Sequence, residues 1–293
     1  MGLGPYLFLA ILEGLVQASV LTVTAVGLSL VFGVMRVVNV AHGEFFMLGA
    51  VFAWFISSQI AGHPALGFIA ALIVSPLLVG AIAYASDRLI LKRLNYDPEA
   101  TIVATIGLLY VLQQSALIFF GPNAQAVEPP FYYTIRFPWF GYSAYKLFII
   151  AAAILLMLGI WFVVRKTKVG LIMRATQLDR ETAQAFGINV DGVSATVFAI
   201  GAMLAAVAAV LVVPTQQAHY LMGLDPLLLS FIVVIIGGLG SIQGTVVAAI
   251  LIGLSDGILS VFFSPTLAKM VSTLLVALVL VFKPNGLFGK AQR

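Results

Sequence analysis

Arg36, Asn39, His42 and Glu44 crowd into the short stretch from Gly33 to Glu44, between two long apolar runs. Polar groups at membrane depth are costly and persist where they pair or face water. The stretch fits a turn in water, with Arg36 marking sidedness and Glu44 in the first turn of the next helix. It fits equally a set of polar groups with a working role. His42-x-Glu44 offers two metal ligands with no others nearby, too few for a site. Glu13 and Asp256 lie inside apolar runs and Asp225 stands at the edge of one, the kind of group a proton relay needs. Asp225, before Pro226, is better explained as a helix cap, and Glu13 sits near the end of its run. That leaves Asp256 plainly inside a span, with no obvious basic partner. Gly237-Gly238-Leu239-Gly240-Ser241-Ile242-Gln243-Gly244 places four glycines in eight residues, which no ordinary helix interior carries. It reads as a tight turn with close helix packing, or as a broken helix beside a transport path. It lacks the Lys-Ser/Thr that follows in a phosphate-binding loop, so the chain does not hydrolyse ATP by itself. No Ser-His-Asp order or paired carboxylates at one depth point to an enzyme, and with no cysteine there is no thiol or Cys-based metal chemistry.

The elements that must hold these residues are membrane helices. The chain has 293 residues, is 62% hydrophobic and 9% charged, and has a mean hydropathy of +1.12. Soluble domains carry about 25% charged residues, so this is an all-α, polytopic transmembrane bundle in a single domain, 1–293. The expected spans are Tyr6 to Phe32, Phe45 to Ile60, Leu66 to Ser86, Ala100 to Phe120, Lys146 to Val164, Val193 to Val213, a short segment opening at Asp225-Pro226, Thr245 to Phe263, and one from Ser264-Pro265 to Lys283. Asp97-Pro98-Glu99 is a helix start. The aromatic, lysine-poor loop Gly121 to Tyr145 suits the outer boundary. The basic residues group at Arg36, at 88–93, at 165–180 and after Phe282. These places alternate correctly if all are cytoplasmic, and nine crossings then put the C-terminus inside. Eight to ten spans are consistent with the pattern. The net charge of +4 is accordingly a topology signal and not a nucleic-acid surface.

The stretch from Arg165 to Gly192 gathers 8 of the chain's 26 charged residues (15 basic, 11 acidic). Asp179 is an N-cap type, Glu181 falls in the first turn, where the helix dipole favours an anion, and Gly187 suits the left-handed position past a helix end. The pattern predicts a short helix, Arg180 to Phe186, with Ala183 and Phe186 on one face, built to be gripped by another protein.

Three stretches carry a resemblance. Glu181-Thr182-Ala183-x-x-x-Gly187 resembles the EAA loop of ABC importer permeases, with Thr at the second position. Arg36-Val-Val-Asn39-Val-Ala-His42-Gly43-Glu44-Phe-Phe-Met-Leu-Gly49 looks like the N-x-A-H-G-E signature of branched-chain amino-acid permeases. Gly237-Gly238-Leu-Gly240-Ser241-Ile-Gln-Gly244 and the Pro284-x-Gly286-Leu287-Phe288-Gly289 ending fit the same family. The resemblance covers essentially the whole chain. It implies a permease subunit in a bacterial inner membrane, among lipid, partnered by a second homologous permease, two cytoplasmic ATPases and a periplasmic or lipid-anchored binding protein, with no cofactor of its own. The cargo it implies is leucine, isoleucine and valine. Urea and short-amide permeases share the A-H-G-E motif, and an ion-coupled secondary transporter is the alternative of a different class. By the same resemblance Asp179, Glu181, Ala183, Phe186 and Gly187 form the ATPase-coupling element. Arg36, Asn39, His42, Glu44, Gly237, Gly238 and Gly240 are the candidates for the path or gate.

Overall fold

The computed structural model describes residues 3–60 and 62–264, and beyond them 266, 267, 269–271, 274, 278, 283 and 286–288. Most of the ninth expected span, and the termini of the chain, lie outside the described residues.

Among the described residues up to 264, ten α-helices follow in order: α1 (Leu3–Met35), α2 (His42–Gln59), α3 (Pro64–Leu89), α4 (Pro98–Phe120), α5 (Ala144–Lys166), α6 (Lys168–Leu178), α7 (Arg180–Ala185), α8 (Val190–Val212), α9 (Leu224–Gly237) and α10 (Ile242–Phe262). Six of the described helices, α1, α3, α4, α5, α8 and α10, are long and apolar enough to cross a membrane. All eight segments expected before Ser264 are therefore helical. Asp97 starts α4 as expected, its side chain accepting from Ala100 N at 2.9 Å. The loop after α4 is not wholly irregular. Gln125–Ala126 (β1) pairs antiparallel with Gln217–Ala218 (β4), and Thr134–Arg136 (β2) with Gly141–Ser143 (β3).

The centre of the bundle is α1 against α8 and α10. Gly14 and Ala18 of α1 face Gly253 and Gly257 of α10 so closely that a Cβ on Gly257 would lie 2.2 Å from the Gly14 Cα. Small residues four apart let two backbones meet where lipid offers no hydrophobic drive. On the other side of α1, Phe45 packs edge-on to Phe198 with ring centroids 5.7 Å apart. Tyr145 donates to Leu211 O at 2.7 Å, tying α5 to the far end of α8. Side chains such as Val103, Phe119, Leu155 and Leu158 are exposed, as the lipid-facing side of α4 and α5 requires.

Two segments cross by halves. After Met35 the chain turns at Arg36, whose φ is +56°, and runs back along α1 until His42 meets Thr24. Thr24 lies about 16 Å along the axis from the end of α1. So α2 begins in mid-bundle and not at a surface. The second half-segment is α9, 14 residues long or about 21 Å. The two N-termini meet back to back: a Cβ on Gly43 would sit 2.3 Å from Gly223 O, and one on Gly223 2.2 Å from Gly43 O. The strip from Gly33 to Glu44 is thus not a turn in water. Asn39, His42 and Glu44 are at most 1% exposed.

Candidate functional site

The polar segment between α5 and α8 folds into two helices where the sequence predicted one. Thr167 caps α6 by accepting from Gly170 N at 3.2 Å. Asp179 then caps α7, accepting from Thr182 N at 3.0 Å and from the Thr182 hydroxyl. Those hydrogen bonds stabilise the anion and hold the Asp179 carboxyl below the usual carboxylate range. Glu181 stands exposed in the first turn. At the other end Gly187, with φ +82°, donates to Gln184 O at 3.0 Å, and Ile188 N donates to Ala183 O at 3.1 Å. This pair of bonds closes a helix end through a left-handed residue.

Ala183 and Phe186 do not share a face. Ala183 is 5% exposed and turned into the protein, whereas Phe186 is 83% exposed. The helix ends at Ala185, so Phe186 has already left the helical path that would have aligned the two.

Arg180 braces α7 against the bundle. Its guanidinium lies over the Tyr96 ring at 4.6 Å and its Nη2 reaches Asp191 Oδ1 at 3.3 Å, while Lys92 approaches Asp191 Oδ2 at 3.5 Å. Tyr96 donates to Asp87 Oδ2 at 3.3 Å. Burial, with Asp87 and Asp191 nearby, pushes the Tyr96 phenol upward and keeps it a donor. One network therefore joins α7 to the ends of α3 and α8.

The other two candidate stretches converge near α6. Gln177 Nε2 donates to Gly240 O at 3.2 Å, and Arg36 Nη2 donates to Gln177 O at 3.3 Å. A Cβ on Gly33 would lie 3.1 Å from Gln177 Nε2 and 3.3 Å from the Gly240 Cα. Gln177 thus pins the end of α1 to the glycine turn. In that turn Gly238 (φ +98°) ends α9, Gly240 has φ +77°, and Ser241 caps α10. Gly237 lies against Gly244, where a Cβ would be 2.4 Å from the Gly244 carbonyl carbon. Leu287 N and Phe288 N donate to Ile236 O and Gly237 O at 2.7 and 3.2 Å, so the chain's last described residues close the end of α9.

The remaining candidates sit deeper and apart from that cluster. Asn39 Oδ1 accepts from Ala41 N at 3.1 Å. His42 Nε2 lies 2.9 Å from Thr24 O; a carbonyl only accepts, so Nε2 carries the proton. Both Glu44 oxygens and His42 Nδ1 are buried without a hydrogen-bond partner among the described residues.

In the half of the bundle away from α7, a cavity of about 570 Å³ runs between α1, α9 and α10. Thr24, Phe46 and Met222 line it where α2 and α9 begin, and Gln216, Ser260 and Lys269 complete its wall. Asp225 and Asp256 are in its wall. Asp225 is not the cap of α9: Gly223 takes that place, and Asp225, in the first turn, pairs with Lys269 at 2.7 Å. Glu13 pairs with Lys146 at 2.6 Å. The sequence reading missed both pairs, which join residues far apart in the chain. It also missed Gln177, an uncharged residue that nothing in its neighbours marks out.

A bundle with an open cavity, helices that meet at glycines and a braced short helix outside the spans has the parts of a membrane permease. Over residues 10–280 the chain matches the family described as branched-chain amino acid transport system / permease component, and it belongs to that family. It is 27% identical over 300 residues to the high-affinity branched-chain amino acid transport system permease protein BraD of Pseudomonas aeruginosa, across 96% of this chain and 95% of that one. It is 28% identical over 309 residues to LivH of Escherichia coli, described in the same words, across 98% and 97%. A probable branched-chain amino acid transport permease protein LivH of Methanocaldococcus jannaschii is 26% identical over 292 residues, across 95% and 92%.

Proposed function

We propose that this chain is a membrane-spanning subunit of an ATP-driven importer for leucine, isoleucine and valine, pairing with a second, related permease. A binding protein delivers the amino acid at the cavity end. Two ATPases dock at the α6–α7 end, which faces the cytoplasm together with the C-terminus; the clustering of basic residues supports that orientation. The chain is a transport subunit and not an enzyme.

The observation that carries this assignment is α7. A six-residue helix is far below the about 12–15 residues at which isolated helices become even marginal in water. Here it is capped at both ends, braced by Arg180 to two other elements, and made to present Phe186 outward. A bare aromatic on a braced helix outside the spans suits docking into a partner's groove. Glu181, beside it, adds a charge. Arg36, Gly237, Gly238 and Gly240 then belong to the inner closure of the path, and Asn39, His42 and Glu44 to its buried middle.

Reconstitution tests the assignment. The complete complex in vesicles should take up labelled leucine when ATP is enclosed with the ATPases and binding protein is added on the other side. Uptake should persist after ionophores collapse the ion gradients. Uptake that needs a gradient and ignores ATP would mean a secondary transporter. ATP-driven uptake of urea or a short amide with none of leucine would reassign the cargo.

A further inference from the structure

An open groove of about 640 Å³ runs between α1, α5 and α10. Ala18, Ile154, Met157, Trp161, Val247 and Ile250 are in its wall. Ser19 and Thr22 also line it, but their hydroxyls donate to Leu15 O and Ala18 O at 2.7 and 2.6 Å, so their polar hydrogens are spent within α1. The buried residues of α5 are Tyr145, Ile149 and Ala153; from Ile154 to its end none is buried. The groove follows α5 from Ile150 to Trp161, about 16 Å. A hydrocarbon core is about 30 Å thick. The groove therefore has the depth of one leaflet, too short for another chain's spanning helix and right for the tails of a lipid.

The groove ends where α5 meets α6. Trp161, 48% exposed, lines it there, and Arg165 follows one turn later on the same face of α5. Past Lys166 the chain turns so tightly that a Cβ on Gly170 would lie 2.2 Å from Val164 O, which keeps Lys168 at the same corner. Arg165, Lys166 and Lys168 are all exposed, and none pairs with a carboxylate among the described residues. Gln243, also exposed, reaches this end from the first turn of α10.

Resting on the placement of the α6–α7 end in the cytoplasm, we infer that this groove is a binding site for an anionic phospholipid of the inner leaflet. A tail lies along the groove, and Trp161 stands at the level where tail meets head. The phosphate meets Arg165, Lys166 and Lys168, and the Gln243 amide donates to a head-group oxygen. Bulk tails are as apolar as these walls, so the tail alone selects nothing. Charge selects: cations just inside a span attract anionic heads. The groove then decides where that lipid stays. Once seated, it fills the gap beside the half of α5 that the protein leaves uncovered and joins α5 to α10.

Trp161 is its own reporter. The complete transporter is placed in phosphatidylcholine vesicles, and its fluorescence is compared with that of Trp161→Phe to isolate this residue. A small fraction of the lipid is then replaced by phosphatidylglycerol or phosphatidylcholine brominated near the head end of one tail. The brominated phosphatidylglycerol should quench Trp161 at a tenfold or more lower fraction than the brominated phosphatidylcholine. Arg165→Gln with Lys166→Gln and Lys168→Gln should bring the two lipids within twofold. Val247→Phe, which fills the groove and leaves the cations alone, should do the same. Glycerol phosphate, a head without tails, should not relieve the quenching. Equal quenching of the parent by both lipids would overturn the inference, because Trp161 would then face bulk lipid. So would no quenching by either, which would mean that the second permease or an ATPase covers the groove, and so would displacement by glycerol phosphate, which would make the corner a phosphate site. The comparison of lipids uses the parent complex, so it decides the matter even where the triple variant fails to insert. Vesicles carry the probe lipid in both leaflets, so the result does not depend on sidedness. Thiol labelling of Lys168→Cys tests the cytoplasmic placement, and ATP-driven leucine uptake tests the importer assignment, each separately from the site.

Discussion

Removing the Phe186 ring should weaken the hold of the ATPase without disturbing the permease. Phe186 is 83% exposed, so its truncation to alanine leaves no cavity in this chain. If the ring is buried in a groove of the ATPase, full burial of a phenylalanine side chain is worth about 1.5–3 kcal/mol. At 1.4 kcal/mol per factor of ten, Phe186→Ala should raise the dissociation constant roughly tenfold to a hundredfold. The measurement is direct: the detergent-purified permease pair is immobilised and the ATPase is titrated over it. Leucine uptake in vesicles should fall in parallel at ATPase concentrations that no longer saturate. Leu158→Ala is the control, because it also removes an exposed apolar side chain but from the middle of α5; affinity should stay within twofold. Ala183→Arg is a poorer probe than its place in the loop suggests. Ala183 is turned inward, so an arginine there must lift α7 from the bundle and confounds docking with local unfolding. An affinity for Phe186→Ala within twofold of the parent, with full uptake, would refute the docking role of this residue.

Gly223→Ala should force α2 and α9 apart where a Cβ would meet Gly43 O at 2.2 Å; overpacking of this kind costs about 1–3 kcal/mol, read as a lower unfolding temperature of the purified chain. Gln177→Ala removes the side chain that pins Gly240, a neutral hydrogen bond worth about 0.5–1.5 kcal/mol, and should raise ATP hydrolysed per leucine imported while the ATPases still bind. The depressed Asp179 carboxyl supports α7 above the ordinary carboxylate range and loses that support as pH falls through its lowered value. ATPase affinity of the parent should therefore exceed that of Asp179→Asn at neutral pH and converge on it in acid; a pH-independent difference between the two would discount the cap. Lys168→Cys should react with an impermeant thiol reagent only after the inner face is opened, and Gln216→Cys in intact cells; the reverse pattern would invert the topology.

What could be read from the sequence was what is decided locally. Asp179 and Gly187 bracket α7 through bonds to residues three to five positions away, and Asp97 does the same for α4, so cap and turn chemistry located them. The apolar runs located the spans, because a helix is the cheapest way to carry a backbone through lipid. Depth was not legible. Polarity alone puts His42 and Glu44 in water, but the close approach of Gly43 and Gly223 carries them into the middle of the bundle. Helix α6 was missed because its Lys168 and Arg174 made the segment read as loop. The pairs Asp225–Lys269 and Glu13–Lys146, and the grip of Gln177 on Gly240, join positions that no local rule connects.

The seal on α9 has a consequence for the order of assembly. Ile236 and Gly237 bond to the backbone of Leu287 and Phe288, which leave the ribosome long after α9 itself. Until then those two carbonyls have no such partners, and an unpaired carbonyl is costly to bury. The glycine turn can therefore set only once Leu287 and Phe288 have been made. During insertion the end of α9 would stay open at that point, and the segment at Leu287 and Phe288 acts as the bolt. A chain stopped before Leu287 should still insert its earlier helices. It should also resist proteolysis normally in α1 to α8, while exchanging the amides of α9 and its turn faster than the full chain.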